Sequence, residues 1–169
     1  MPEAAIDDAR PMTAKTDVLS EMVTPVVDET LVAVQSFYPQ GRWKSPGMGL
    51  MRLGRAVFGK SRLDDRLPLQ NLMVVTPTRV LVFGTSTMTG AYAVTGQLAE
   101  WPRSAVTATK KRVELSTSGV NSSRPDYSSM TFLRLTLTTP DGELGADLPV
   151  GERASQQVAK ELRAAASPA

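Results

Sequence analysis

The sequence predicts a mainly β fold, a β-barrel or split barrel in which seven antiparallel strands form one bent sheet capped by a C-terminal α-helix. Three observations predict it. After Thr30, the 169-residue chain contains seven short runs of strand-forming residues separated by turn signals. The C-terminal segment Glu152–Ala165 has helical periodicity. The sequence contains no histidine and no cysteine, which removes most catalytic and metal-site chemistry and favours a binding fold.

The strands are predicted from local patterns. Met130–Thr138 alternates apolar and polar residues, whereas 72–75 and 80–83 are continuously apolar. Pro77-Thr78 separates the second strand from the third, and Thr139-Pro140-Asp141-Gly142 is a hairpin signal between the last two. The predicted strands are Thr30–Tyr38, Leu69–Thr76, Arg79–Thr85, Gly96–Trp101, Ala105–Thr109 continuing into Lys110–Thr117, Met130–Thr138 and Glu143–Leu148.

The closing helix carries one apolar stripe made of Ala154, Val158 and Leu162, which lie on the same helical face. Glu152 near its start and Arg163 near its end suit the helix dipole. The stripe predicts that the helix packs against the sheet.

The N-terminal part of the chain is predicted to be a tail. Residues 1–27 are acidic and show little periodicity, so we expect them to be mostly disordered, with a short helical turn that docks through Val18, Leu19 and Met22. The folded domain is predicted over 28–166, with a basic, glycine-rich insertion at 41–66.

Charge is distributed unevenly along the chain. Residues 1–29 carry a net charge of −5, whereas residues 41–62 contain six basic residues and no acid. A like-charge block of this kind is either a solvated loop or a contact surface for an anionic partner. Trp43 between two cations fits a membrane-surface anchor or a cover for the open edge of the barrel. The predicted anion- or partner-binding residues are Arg42, Trp43, Lys44, Arg52, Arg55, Lys60 and Arg62.

A second interpretation of the same segment comes from Gly54–Ser61, which matches the phosphate-binding loop pattern G-x-x-x-x-G-K-[ST]. In such a loop the backbone amides hold phosphates and the lysine, here Lys60, neutralises them. The surrounding sequence fits poorly, because the preceding residues are interrupted by glycine and Pro68 follows soon after. Nucleotide binding therefore stands as one alternative, and a structural subunit of a larger complex stands as another.

The sequence offers no constellation for catalysis. General bases and nucleophiles would have to be carboxylates, lysine or tyrosine, and the adjacent Asp64 and Asp65 tend to point apart. We therefore predict a protein that is not an enzyme and that has no catalytic residues, no metal site and no cofactor. The absence of a signal sequence and of long apolar runs predicts a cytoplasmic protein without transmembrane segments, with peripheral contact at a membrane as an option.

Three segments make the chain resemble a bacterial pleckstrin-homology-like (PH-like) domain of the YokE-like family: Asn71–Gly84, Leu98–Thr109 and the Thr139–Leu148 hairpin that leads into the last helix. The resemblance implies a strongly bent sheet whose open end is plugged by that helix, and it implies binding of lipid headgroups, peptides or proteins. Lys44 and Arg52-Leu53-Gly54-Arg55 depart in spacing from the basic pattern of lipid-binding relatives. The leading interpretation is an adaptor that docks on a protein partner or an anionic membrane surface, and no specific nucleic acid is expected as a partner.

Equilibrium titration with a fluorescent nucleotide and magnesium distinguishes the two interpretations. For an adaptor we expect no saturable binding, because the flanking sequence does not present the loop between a buried strand and a helix. Binding that disappears in a folded Lys60→Ala variant would instead support the nucleotide alternative.

Overall fold

The computed structural model describes residues 18–40, 63, 66–86, 93–116 and 129–165. Helix α1 covers 18–23 and runs into a 3-10 turn, Thr24–Val26, and a second 3-10 turn, Arg103–Ala105, joins β4 to β5. The strands are β1 Ala33–Pro39, β2 Asn71–Val75, β3 Arg79–Ser86, β4 Ala93–Pro102, β5 Thr107–Ser116, β6 Ser129–Thr139 and β7 Gly142–Pro149, followed by helix α2, Arg153–Ala165.

The sequence prediction of a mainly β fold with a C-terminal helix is confirmed. All seven strands belong to one antiparallel sheet with the order β4-β3-β2-β1-β7-β6-β5. Strand β1 joins the two halves of the sheet, which are β2–β4 on one side and β5–β7 on the other. Its residues 33–37 pair with β2, whereas Tyr38 and Pro39 pair with β7. The two edges of the sheet are therefore β4 and β5, although these strands follow each other in sequence.

The sheet is strongly curved. Six strand spacings of about 4.8 Å would separate β4 from β5 by about 29 Å in a flat sheet. The chain from Pro102 to Thr107 reaches only about 18 Å when fully extended. A direct contact shows the same curvature, because the indole N–H of Trp101 on β4 donates a 2.7 Å hydrogen bond to Asp141 in the β6–β7 turn.

The main core lies on the concave side of this sheet. It is built from aliphatic side chains of both halves, such as Val75, Val80, Leu135 and Leu144, together with Trp101. Helix α2 closes the concave side with Ala154, Val158 and Leu162, all of which are buried, so the predicted apolar stripe is confirmed.

Polar contacts hold both ends of α2. The buried amide of Gln35 on β1 donates to the side chains of Glu152 and Ser155, at 2.5 and 2.9 Å. Near the other end, the guanidinium of Arg103 donates to the carboxylate and the backbone carbonyl of Glu161 and to the carbonyl of Thr76. These contacts connect the helix to β1 and to the 3-10 turn before β5.

The convex side is covered by residues 18–27, which we call the N-terminal strap. Leu19, Val23 and Val27 are buried against Leu72 and Phe83 and their neighbours on β1–β3. The described part of the predicted tail, residues 18–27, is folded. Of the docking residues predicted there, Leu19 is buried and Met22 packs at the margin, but the Val18 side chain is 49% exposed.

The strap explains the continuously apolar runs 72–75 and 80–83. Every residue of both runs is buried, because the concave face of these strands meets the main core and the convex face meets the strap. A strand that is covered on both faces loses the apolar–polar alternation.

The contribution of the strap to stability is testable with two neighbouring substitutions. Leu19→Ala removes a side chain that is 97% buried, and we expect it to lower the free energy of unfolding by about 2–5 kcal/mol. Val18→Ala, at the exposed position beside it, serves as the control and should change stability by less than about 0.5 kcal/mol. Denaturant unfolding measures both, and equal effects would contradict the docked strap.

Candidate functional site

The predicted anion-binding residues lie outside the described residues. The description of the chain stops at Gln40 and resumes at Leu63, so Arg42, Trp43, Lys44, Arg52, Arg55, Lys60 and Arg62 remain sequence predictions. The same holds for the phosphate-loop match at 54–61.

The structure does place the basic run Lys110-Lys111-Arg112, on the edge strand β5. All three side chains are exposed. Lys111 pairs with Arg134 and so lies on the convex face, whereas Lys110 and Arg112 pair with core leucines of β6 and lie on the concave face. Because successive residues of a strand lie on opposite faces of the sheet, this run does not form a single basic patch.

A buried ion pair on the convex face connects β6 to β7. Arg134 and Asp147 are directly opposite in the register, and the guanidinium donates to both carboxylate oxygens at 2.6 and 2.9 Å. Asp147 is fully buried, and Arg134 is nearly so. Removing one partner of such a pair typically costs about 3–5 kcal/mol, which indicates a structural role.

A second ionic cluster lies where the strap ends. The guanidinium of Arg79, at the start of β3, bonds the carboxylates of Asp28, Glu29 and Glu100. The distances to Glu29 and Glu100 are 2.5 and 2.9 Å, and the hydroxyl of Thr78 also donates to Glu29 at 2.8 Å. Arg79 thus joins the strap to both β3 and the edge strand β4, and we call these four charged residues the Arg79 cluster.

The cluster shifts the titration of its members. Hydrogen bonds from Thr78, with smaller contributions from Arg79, lower the pKa of the Glu29 carboxyl below 4.5. The hydrogen bond from Arg79, followed by that from Gln97, lowers the pKa of Glu100 in the same way. The carboxylates in turn raise the pKa of Arg79, with Glu100 contributing most, so the guanidinium stays charged.

Beside this cluster an open groove of about 440 Å³ separates the strap from β4. Met22 and Val26 of the strap form one wall, Phe83 lies at the bottom, and Val94 and Gln97 of β4 form the other wall. Val26 is 54% exposed. The groove exists because the buried residues of the strap pack over β1–β3 and leave the convex face of β4 open.

Strand β4 is irregular where it borders the groove. The register between β3 and β4 shifts twice, between Val82 and Phe83 and between Gly84 and Thr85. Gly84 accommodates these bulges, since a Cβ atom there would lie 2.7 Å from the Thr95 hydroxyl. Bulges are frequent at sheet edges and beside binding sites, where they redirect side chains.

Sequence reasoning missed the groove and the Arg79 cluster. Arg79 meets Asp28 and Glu29 across about fifty residues of sequence, and no local pattern links them. The one available signal was the uncharged stretch 93–99 in a strand, which indicates a weakly protected edge but not the groove beside it.

In the described ranges, no three histidine, cysteine or acidic side chains converge in a way that could hold a metal ion. None of the helices described is long and apolar enough to cross a membrane. Comparison with models of known protein families finds no match, and comparison with curated protein sequences finds none.

The Arg79 cluster predicts a specific acid sensitivity. Because the pKa values of Glu29 and Glu100 are lower in the folded state, their stabilisation is complete above 4.5 and is lost as the pH falls through the lowered values. We therefore expect Arg79→Gln to flatten the loss of stability between neutral pH and about pH 3. Denaturant unfolding at a series of pH values measures this pH dependence of the free energy of unfolding.

The control is Arg112→Gln, which removes the same charge from an exposed site on β5. Its pH profile should run parallel to that of the unmodified protein. Parallel profiles for Arg79→Gln as well would show that the cluster does not stabilise the fold.

Proposed function

We propose that this protein is a non-catalytic binding module with a PH-like fold that docks on a partner protein. The PH-like part of the proposal is supported by the strand order, by the curvature of the sheet and by the helix that closes its concave side. These features accord with the sequence resemblance to the YokE-like PH family.

The observation that carries the docking proposal is the contrast between the two sheet edges. Strand β5 has three consecutive basic residues, 110–112, which is one of the ways in which proteins block unwanted strand pairing. Strand β4 is ten residues long, and its stretch 93–99 has no charged residue and no proline. Most of its side chains are exposed. An edge of this kind is suited to the addition of a partner strand.

The ionisable residues support binding rather than catalysis. Two ion pairs of the described residues, Arg103–Glu161 and Arg134–Asp147, hold their charged side chains against each other. Each of these contacts joins two elements of the fold. The proposal includes a cytoplasmic location, with which a chain that contains no cysteine is compatible.

Membrane docking through the basic residues of 41–62 is the alternative that the experiment must separate. Its side chains lie outside the described residues. The observation that favours a partner protein is the exposed, uncharged edge of β4.

Affinity capture from native lysate with three forms of the protein tests the proposal. Thr95→Lys introduces a charge on the exposed edge of β4, and Thr109→Lys makes the same change at an exposed position of β5. We expect the unmodified protein and Thr109→Lys to retain the same proteins, and Thr95→Lys to lose them, because a charged edge disfavours strand addition.

Thermal unfolding of the three forms serves as the folding control. Proteins retained equally by all three forms would contradict docking at β4. Retention of anionic lipid without a specific protein would support the membrane alternative.

A further inference from the structure

The convex face of β4 changes in character along its length. Val94, Gln97 and Glu100 pair with Thr85, Phe83 and Leu81 of β3, whose convex position is established by Phe83 and Leu81 in the strap-covered core. Val94 and Gln97 line the groove, and Glu100 belongs to the Arg79 cluster. The groove therefore leads from an apolar end at Val94 to an acidic end at Glu100.

The distance between the apolar end and the acidic end of the groove is set by the residues of β3 that pair with them. The partners of Val94 and Glu100 on β3 are four residues apart, because the two bulges absorb the extra residues of β4. Four residues of a regular strand span about 13 Å and return to the same face of the sheet. An extended chain lying along β4 would thus present side chains to both ends at positions four residues apart.

The acidic end has excess negative charge. Three carboxylates surround the single guanidinium of Arg79, which leaves a formal surplus of two negative charges. The Asp28 side chain is 85% exposed and can accept further hydrogen bonds from a cation. The apolar end offers Val94, and Met22 of the strap lines the same groove.

We propose that the outer edge of β4 and the groove beside it bind an extended segment of a partner protein, in which an apolar and a basic side chain are four residues apart. The apolar side chain occupies the groove at Val94, and the basic side chain contacts Asp28 and Glu100. The backbone of the segment pairs with β4, which supplies affinity, while the two side chains set the register and direction. This inference rests on the proposed docking function and adds the chemistry of the partner.

The charge requirement gives the proposal a quantitative form. An exposed ion pair contributes little, and a like-charge contact costs a similar amount. Replacing the basic residue of the segment by an acidic one should therefore weaken binding by about tenfold at low salt, and the difference should shrink as salt is added.

Synthetic peptides about as long as β4 test the proposal directly. The probe alternates threonine and serine and carries leucine and arginine four positions apart, and a second probe has the two in reverse order. Matched controls replace arginine by glutamate, or move it by one position so that it faces the other side of the strand. Fluorescence anisotropy of labelled peptides measures affinity for the full chain.

We expect one of the two arginine orders to bind preferentially, with about tenfold weaker binding of its glutamate control. Asp28→Asn should weaken binding of the arginine peptide and leave the glutamate peptide unchanged or bound more tightly. Thr95→Lys should abolish binding, whereas Thr109→Lys on β5 should not affect it.

Equal affinity for the arginine and glutamate peptides, no binding of either order, or binding that survives Thr95→Lys would overturn the inference. Sedimentation of the protein alone tests whether a second copy of the chain occupies this edge. Self-association that is lost in Thr95→Lys would mean that it does, and this would also overturn the inference. If lysate capture depends on β4 but the peptides show no charge preference, the docking function stands and the partner chemistry is wrong.

Discussion

The short connection between β4 and β5 is the constraint on which the rest of the structure depends. It joins the two edges of a seven-stranded sheet within a few residues, so the sheet has to curl until those edges come together at one corner. A curled sheet encloses its concave face, and the aliphatic side chains there form a single core. The same curvature leaves an opening that α2 covers with its apolar stripe.

Curvature also explains where the polar contacts lie. Trp101 and Asp141 are far apart in the strand order and meet only because the sheet is bent. Gln35 and Arg103 hold the helix that fills the bend, and each donates more than one hydrogen bond to it. Buried polar groups that are fully bonded favour one arrangement over its alternatives, since any other packing would leave them without partners.

The strap and the edge strand together produce the candidate site. The strap protects the apolar convex face of β1–β3, but its buried residues do not extend over β4. The convex face of β4 therefore forms one wall of a groove, and the strap forms the other. Arg79 secures the end of the strap and gathers three carboxylates beside that groove. A contact that stabilises the fold thus also gives the groove an acidic end.

The sequence alone determined the strand inventory, the closing helix and the stripe of Ala154, Val158 and Leu162, because these depend on local periodicity. The sequence indicated docking through Leu19 and Met22 of the strap, but not through Val23 and Val27, which have no local pattern that distinguishes a docked segment from an acidic tail. The sequence feature that indicates the strap lies in β2 and β3, whose continuous apolar runs reflect burial on both faces of the sheet.

Only the tertiary structure decided which residues meet. Asp28 and Glu29 reach Arg79, the groove opens beside β4, and the basic run on β5 is divided between two faces of the sheet. Periodicity along a chain reports which face of its own element a residue occupies. Contacts between distant segments depend on strand order and curvature, which arise from the packing of the whole sheet.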